Sequence, residues 1–335
     1  VKKGYAFILI IYCFFASILP VWFLLQPRDY LSSYLLYSSV LFGVVGIITG
    51  GFDLNFPPFL GFYSSELGAI FPILFITVAC GAVSGFHSLV ASGTSSKQID
   101  KETDACLIGY GGMLIEGLVA VIALSTVMML GKTDPLIKSQ PLLIYASGMG
   151  RFFEVIGLNK SYGLSFGLLA LSSFILTTLD TATRIGRYIF EEFFNYSTKS
   201  SRFIATIATL ILPGIFSLIT LNDAAGKPIP VWKFIWPLFV ATNQLLGALA
   251  LLVLFIWLKN TGKGTGFILL PMVFMLAVTI SSLFLLILQY KFSLIGIIAM
   301  ILFSLSIFLI ADGITAFIKV RPRQLLVSMT IQREG

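Results

Sequence analysis

Long apolar runs separated by short polar connections extend from one end of the chain to the other. A helix needs roughly 20 mostly apolar residues to cross a bilayer. Nine stretches meet that length: 4–25, 33–51, 68–91, 107–130, 161–183, 202–221, 232–258, 267–289 and 292–318. QPRDYLS follows the first, FDLNFPPF follows the second, and GKTDP opens a longer connection over 131–160. NDAAGKPIP and KNTGKGTG read as turns, being rich in glycine, proline and asparagine. The 131–160 connection is too polar to span, although its 139–155 part suits a short interfacial helix. The pattern predicts an all-α polytopic membrane protein with about nine transmembrane helices, one of them broken. We read 1–320 as a single transmembrane domain and 321–335 as a cytoplasmic C-terminal tail.

The predicted break lies in the third run. The apolar stretch 67–79 should continue as a spanning helix, but it passes into CGAVSGFHSLVASGT, dense in glycine and hydroxyl side chains. Lipid cannot satisfy the N–H and C=O groups that such a break frees, so it is tolerated only against protein or water. Broken helices of this kind form substrate and ion sites in secondary transporters. Cys80, Gly81, Ser84, Gly85, His87, Ser88, Ser92 and Thr94 are therefore candidate substrate- or ion-binding positions. We expect the chain to unwind over 81–85, with His87 turned to the protein interior. An imidazole titrates near neutral pH, so His87 suits a coupling proton or a substrate carboxylate; the plainer reading is a hydrogen-bonded histidine closing a helix end.

Ionisable and amide groups inside other runs add to the set, because they are expensive in a membrane and usually functional. Glu116, near the middle of the fourth run, reads either as a proton-relay acid or as a protonated side chain bonded to nearby backbone. Asp180 and Arg184 are four apart on one helical face, close enough to pair, with Thr177, Thr181 and Thr183 around them. They are a candidate gating ion pair, or else a helix-end pair with arginines reaching toward water. Asn243 and Gln244 sit inside an aromatic and aliphatic run, where amides suit either helix association or substrate contact. Glycines four apart at Gly46/Gly50, Gly81/Gly85 and Gly163/Gly167 allow close helix approach.

Composition agrees with the pattern. Hydrophobic residues make up 57% and charged residues 11%, against about 25% charged in soluble domains; mean hydropathy is +0.97. The net charge of +7 reads as basic loops near anionic lipid rather than a nucleic-acid surface. Counted by loop, the side holding the C-terminus carries thirteen Lys and Arg and the other side nine, which favours a cytoplasmic C-terminus. The three cysteines are scattered without metal-ligand spacing, and one histidine cannot build a multi-histidine site. We expect no cofactor, no metal and no enzyme activity. The chain opens with Val1 rather than Met, and we expect it to be part of a longer protein or a product of a non-standard start.

The strings GYAFILIIYCFFASILPVWFLLQPRDYLSSYL, FPILFITVACGAVSGFHSLVASGTSSKQ, IGYGGMLIEGLVAVIAL, FILTTLDTATRIGR and WPLFVATNQLLGALAL together resemble the carbon starvation protein (CstA-type) family of bacterial inner-membrane transporters. That resemblance implies proton-coupled uptake of pyruvate or small peptides when carbon runs short. It also implies a fold similar to part of the amino acid–polyamine–organocation (LeuT-like) inverted-repeat transporters. Full-length relatives carry further N-terminal spans and often a longer insertion at 131–160, and neither occurs here. The alternative is a non-transporting membrane subunit or sensor, or a fragment needing a second chain.

Overall fold

The structure, a computed structural model, describes residues 2–57, 59–64, 68–78, 83–195, 198, 200–222 and 228–319. Among these residues are eleven α-helices: α1 (Lys2–Ile18), α2 (Val21–Gly50), α3 (Ile70–Val78), α4 (Gly85–Gly93), α5 (Asp104–Met128), α6 (Pro141–Val155), α7 (Lys160–Phe193), α8 (Ser201–Leu218), α9 (Val231–Asn260), α10 (Gly266–Tyr290) and α11 (Leu294–Lys319). Single 3-10 turns at Ser95–Lys97 and Pro135–Lys138 and four extended pieces of two or three residues complete the regular structure. Seven helices are long and apolar enough to cross a membrane: α2, α5, α7, α8, α9, α10 and α11. The chain therefore has the build of a multi-pass membrane protein. The tail 321–335 lies outside the described residues.

Of the nine expected runs, seven hold a helix of spanning length and two, the first and the third, do not. The first is only 17 residues long, because the chain turns at Pro20 rather than in the QPRDYLS segment. Pro20 has the extended ψ of 145°, and the residue before a proline is itself pushed away from helical angles. QPRDYLS instead lies inside α2, a continuous helix of 30 residues that contains Pro27. Its polar side chains are matched on α7: Arg28 reaches Asp180, and Ser32 Oγ lies 2.8 Å from Ser173 Oγ. Loop-like composition here is overridden by tertiary pairing. The third run is two nine-residue helices, α3 and α4.

The chain divides into two compact units. One comprises Val1–Leu60 and Gly93–Thr220, and so holds α1, α2 and α5–α8. Its core gathers Ile122, Met129, Tyr145, Met149, Phe152 and Phe153, with Phe42 and Phe166 packed against them. Expected as an interfacial helix, α6 is instead central to this core, with Met149 and Phe152 fully buried. It reaches that position because α7 presents glycine to it. A Cβ built on Gly163 would stand 2.7 Å from the Met149 carbonyl oxygen, and one on Gly167 2.8 Å from the Ala146 Cα. Those neighbours are backbone and cannot swing aside. By contrast α5 buries only Ile122 and Thr126, and Leu107, Leu114 and Leu124 stand open, as lipid-facing residues do.

The second unit comprises Gly61–Ser92 and Leu221–Gly335, holding α3, α9, α10, α11 and all of α4 but its last residue, Gly93. Leu238, Ala241 and Leu245 of α9 pack with Leu283 and Leu286 of α10 and with Ile295 and Ala299 of α11. A smaller cluster of Ile76, Val240 and Val278 ties α3 to α9 and α10.

Replacing Gly163 by alanine or leucine should force α6 and α7 apart at a cost of about 1–3 kcal/mol, the usual penalty for overpacking. Gly109→Ala, where nothing lies within 4 Å of the new Cβ, should leave stability unchanged or raise it. Melting temperatures of the detergent-solubilised variants test this; equal values for Gly163→Leu and wild type would show that α6 and α7 do not need the close approach.

Candidate functional site

Two polar constellations stand out, one in each unit. The first is the helix break. α3 ends at Val78 and α4 begins at Gly85, with Val83 and Ser84 non-helical. The nine residues of α4 rise only about 13.5 Å, so α4 does not cross a bilayer alone. Cys80 and Gly81 lie outside the described residues. The first N–H groups of any helix lack internal partners, and α9 supplies one here. Asn243 Oδ1 accepts the Phe86 N–H at 2.8 Å and lies 3.2 Å from Ser84 Oγ. Ser84 and Asn243 are both buried. The approach is close enough that a Cβ on Gly85 would collide with the Asn243 carbonyl oxygen, while Gly247 faces the Gly85 amide.

The remaining polar residues of this stretch divide in their roles. Ser88 donates to the Gly85 carbonyl at 2.7 Å and Ser92 to that of Leu89 at 3.3 Å, so both hydroxyls are used within their own helix. Thr94, just past α4, is half-buried with its hydroxyl unpartnered among the described residues. His87 corrects the expectation that it turns inward: it is exposed. The reason is angular. Gly85 faces α9, and two residues further along a helix points about 200° away. Gln244 follows Asn243 by one position; it is fully buried, and neither of its amide atoms has a partner among the described residues.

The second constellation is a buried charge cluster where α1, α2 and α7 meet. Asp180 has no exposed surface. Both nitrogens of the Arg28 fork engage its two carboxylate oxygens, Nη2 to Oδ1 at 3.3 Å and Nη1 to Oδ2 more closely. The Tyr12 hydroxyl donates to Oδ2 at 3.0 Å and accepts from Arg28 Nη1 at 2.7 Å. Paired donors on a carboxylate form the strongest class of hydrogen bond. Arg28 also holds the exposed Asp29, with Nη2 2.5 Å from Oδ1. It thus lies between a buried and an exposed carboxylate.

The partner expected for Asp180 was Arg184, and the structure corrects this. Arg184 is buried, but its Nη2 donates to the carbonyls of Ala16 at 2.5 Å and Leu19 at 2.6 Å. Those carbonyls lie at the C-terminal end of α1, where acceptors are left open and positive charge is favoured. Spacing along one helix could not reveal that a second helix end competes for the guanidinium. Thr177 and Thr183 donate to the backbone of α7, to Phe174 and Leu179. Glu116 is half-buried on the open helix α5.

Tyr12 and Arg28 were missed from sequence. The signal was present in the demand that a mid-helix acid find a cation. Arg28 was passed over because it stood in an expected loop. Its placement also changes the charge count, since Arg28, Arg184 and Arg187 belong to helices and not to loops.

The model of the family described as carbon starvation protein CstA matches residues 1–135 and 131–282. The chain belongs to this family. The peptide transporter CstA of Helicobacter pylori strain J99 is 32% identical over 330 aligned residues, covering 81% of this chain and 48% of that protein. The pyruvate/proton symporter BtsT of Escherichia coli K12 is 30% identical over 336 residues, covering 76% and 47% respectively. The peptide transporter CstA of Bacillus subtilis 168 is 30% identical over 298 residues, covering 75% and 48%. The chain thus spans about half the length of these curated relatives. No solved structure matches.

The charge cluster generates an asymmetric prediction. Arg28→Gln strands the fully buried Asp180 with only the Tyr12 hydroxyl, and breaking a buried pair this way costs about 3–5 kcal/mol. Asp180→Asn leaves Arg28 its second carboxylate, Asp29, and should cost less. Adding Asp180→Asn to Arg28→Gln should restore stability relative to Arg28→Gln alone. Thermal unfolding of the two singles and the double decides it, and a double mutant no better than Arg28→Gln contradicts the assigned pairing.

Proposed function

We propose that this chain is the helical core of a secondary active transporter that moves a small carboxylate or peptide together with a proton across the bacterial inner membrane. The observation that carries this reading is the interruption between α3 and α4 inside an apolar run, with a freed amide of α4 held by Asn243. An interrupted helix places backbone and side-chain polar groups where a continuous one would present only apolar atoms, the arrangement that serves solute and ion binding. The family relatives bearing the names peptide transporter and pyruvate/proton symporter support it. In this reading Ser84, Gly85, His87, Ser88, Ser92, Thr94, Asn243 and Gln244 belong to the substrate region, together with Cys80 and Gly81.

Glu116 and Asp180 are the proposed proton-linked acids, and the gate assigned from sequence to Asp180 and Arg184 becomes Asp180 with Arg28. The fold is proposed as part of a LeuT-like inverted-repeat arrangement. The C-terminus is proposed to be cytoplasmic, on the side of Lys259, Lys263 and Lys319, with Arg321 and Arg323 following.

Uptake of labelled pyruvate and of a labelled dipeptide into proteoliposomes, with and without an inward proton gradient, tests the function. One of the two should accumulate with the gradient and stop when a protonophore collapses it. Glu116→Gln should shift the pH profile of uptake without lowering the amount of inserted protein. No uptake of either solute would leave the chain as a membrane subunit dependent on a second chain.

A further inference from the structure

A cavity of about 110 Å³ lies between α3, α9 and α10. Ile76, Val240, Ser282 and Leu286 form its walls, and Trp236 and Tyr290 stand at its outer end. Those two aromatics lie close to the ends of the spans Ile235–Asn260 and Gly266–Tyr290, the depth at which Trp and Tyr settle in a bilayer. No lining residue is charged.

One helical turn further in stand two polar residues on the same two helices. Gln244 is four residues beyond Val240 and Thr279 three before Ser282, spacings that keep each on the face of its lining neighbour. Both have no exposed surface. Gln244 Oε1 and Nε2 and Thr279 Oγ1 have no hydrogen-bond partner among the described residues. Buried polar groups in native proteins are bonded to protein, water or a ligand, and an orphan calls for one of these. Two orphans one turn behind a cavity, on the faces that line it, point to a ligand or to ordered water in the place it would take.

The chemistry of the orphans selects the ligand. A glutamine amide offers a donor and an acceptor side by side, and a threonine hydroxyl can do either. A carboxylate only accepts, so it would set its charge against Gln244 Oε1 with no cation in the lining to offset it. An uncharged planar group with N–H or O–H beside C=O matches both atoms. We propose that this cavity, continued inward to Gln244 and Thr279, binds the uncharged amide or carboxylic acid end of a short aliphatic solute. Ile76, Val240 and Leu286 take the aliphatic part. The inference deepens the transport reading by naming a substrate class, and it rests on that reading only for taking the bound solute as cargo.

Saturation-transfer NMR on the full chain in lipid nanodiscs, with butyramide and butyrate as probes, tests the site without requiring transport. Butyramide should bind wild type equally at acid and neutral pH. Butyrate should bind only well below its pKa, where it is protonated. Gln244→Leu and Thr279→Val should each weaken butyramide at least about tenfold, the loss of a buried hydrogen bond or two, while the melting temperature without solute holds or rises. Ser282→Phe, which fills the cavity, should abolish binding. Binding unchanged in Gln244→Leu and Ser282→Phe, no binding to wild type, or a lowered melting temperature in Gln244→Leu would overturn the site. Butyrate binding equally well as the anion would overturn the ligand class. Loss of binding in wild type with uptake intact removes this site alone; uptake absent with binding intact removes the transport reading alone.

Discussion

A carboxylate without exposed surface, held inside a helix long enough to span a bilayer, needs donors from elsewhere in the chain. Asp180 finds them on two other helices: Arg28 on α2 and Tyr12 on α1. This contact fixes more than a pair of side chains. It explains why the polar run around Arg28 is helical, since that segment needs to lie along α7 for the guanidinium to reach. It also places the α1–α2 turn, whose open carbonyls then lie within range of Arg184, one turn further along α7. The Ser17–Thr206 contact at 3.3 Å, linking α1 to α8, and Ser32–Ser173 extend the same polar seam. Ion pairing here is best understood as register: a buried pair adds little net stability over apolar packing but strongly disfavours arrangements that separate it.

The second unit meets the same constraint in its backbone. Starting a helix within an apolar run leaves N–H groups without partners inside that helix, and in lipid only protein or water can satisfy them. Asn243 answers with one side chain, and the close approach it needs is permitted by two glycines, Gly85 and Gly247. Cap and glycine pair form one device, because a side chain on Gly85 would push the amide out of reach. The serines that made this stretch look like a ligand site from sequence are in part explained by helix geometry. Ser88 and Ser92 turn back on their own helix, a common use of hydroxyls on helices.

What was legible in the sequence follows from this. Apolar length alone located the seven helices of spanning length among the described residues, because the length requirement is set by the bilayer and involves no partner. The break in the third run was legible for the same reason: glycine and serine density is local. Other features were not, among them three that turn on single contacts. The start of α2 was hidden because Pro and charge normally mark a loop, and only the pairing across to α7 reverses that. The partner of Asp180 was hidden because the nearest cation along the helix was claimed by another helix's carbonyls. The orientation of His87 was hidden because it depends on which face of α4 meets α9. Each failure involves a contact between residues far apart in the chain.

Asn243 and Gln244 show how far residue type falls short of role. Both are buried amides on consecutive positions of α9, and from sequence both suited either helix association or solute contact. Consecutive positions on a helix point about 100° apart, so the two meet different neighbours. Asn243 meets the open start of α4 and is used there. Gln244 turns toward the face that carries Val240, where the neighbours are apolar and a cavity lies one turn away. A purely structural amide would be expected to find a backbone partner as Asn243 does, and a purely packing position would be filled more stably by leucine. An amide with no exposed surface and no partner among the described residues calls for a bonding group from outside them, and in the site proposed above that group is the uncharged end of a solute.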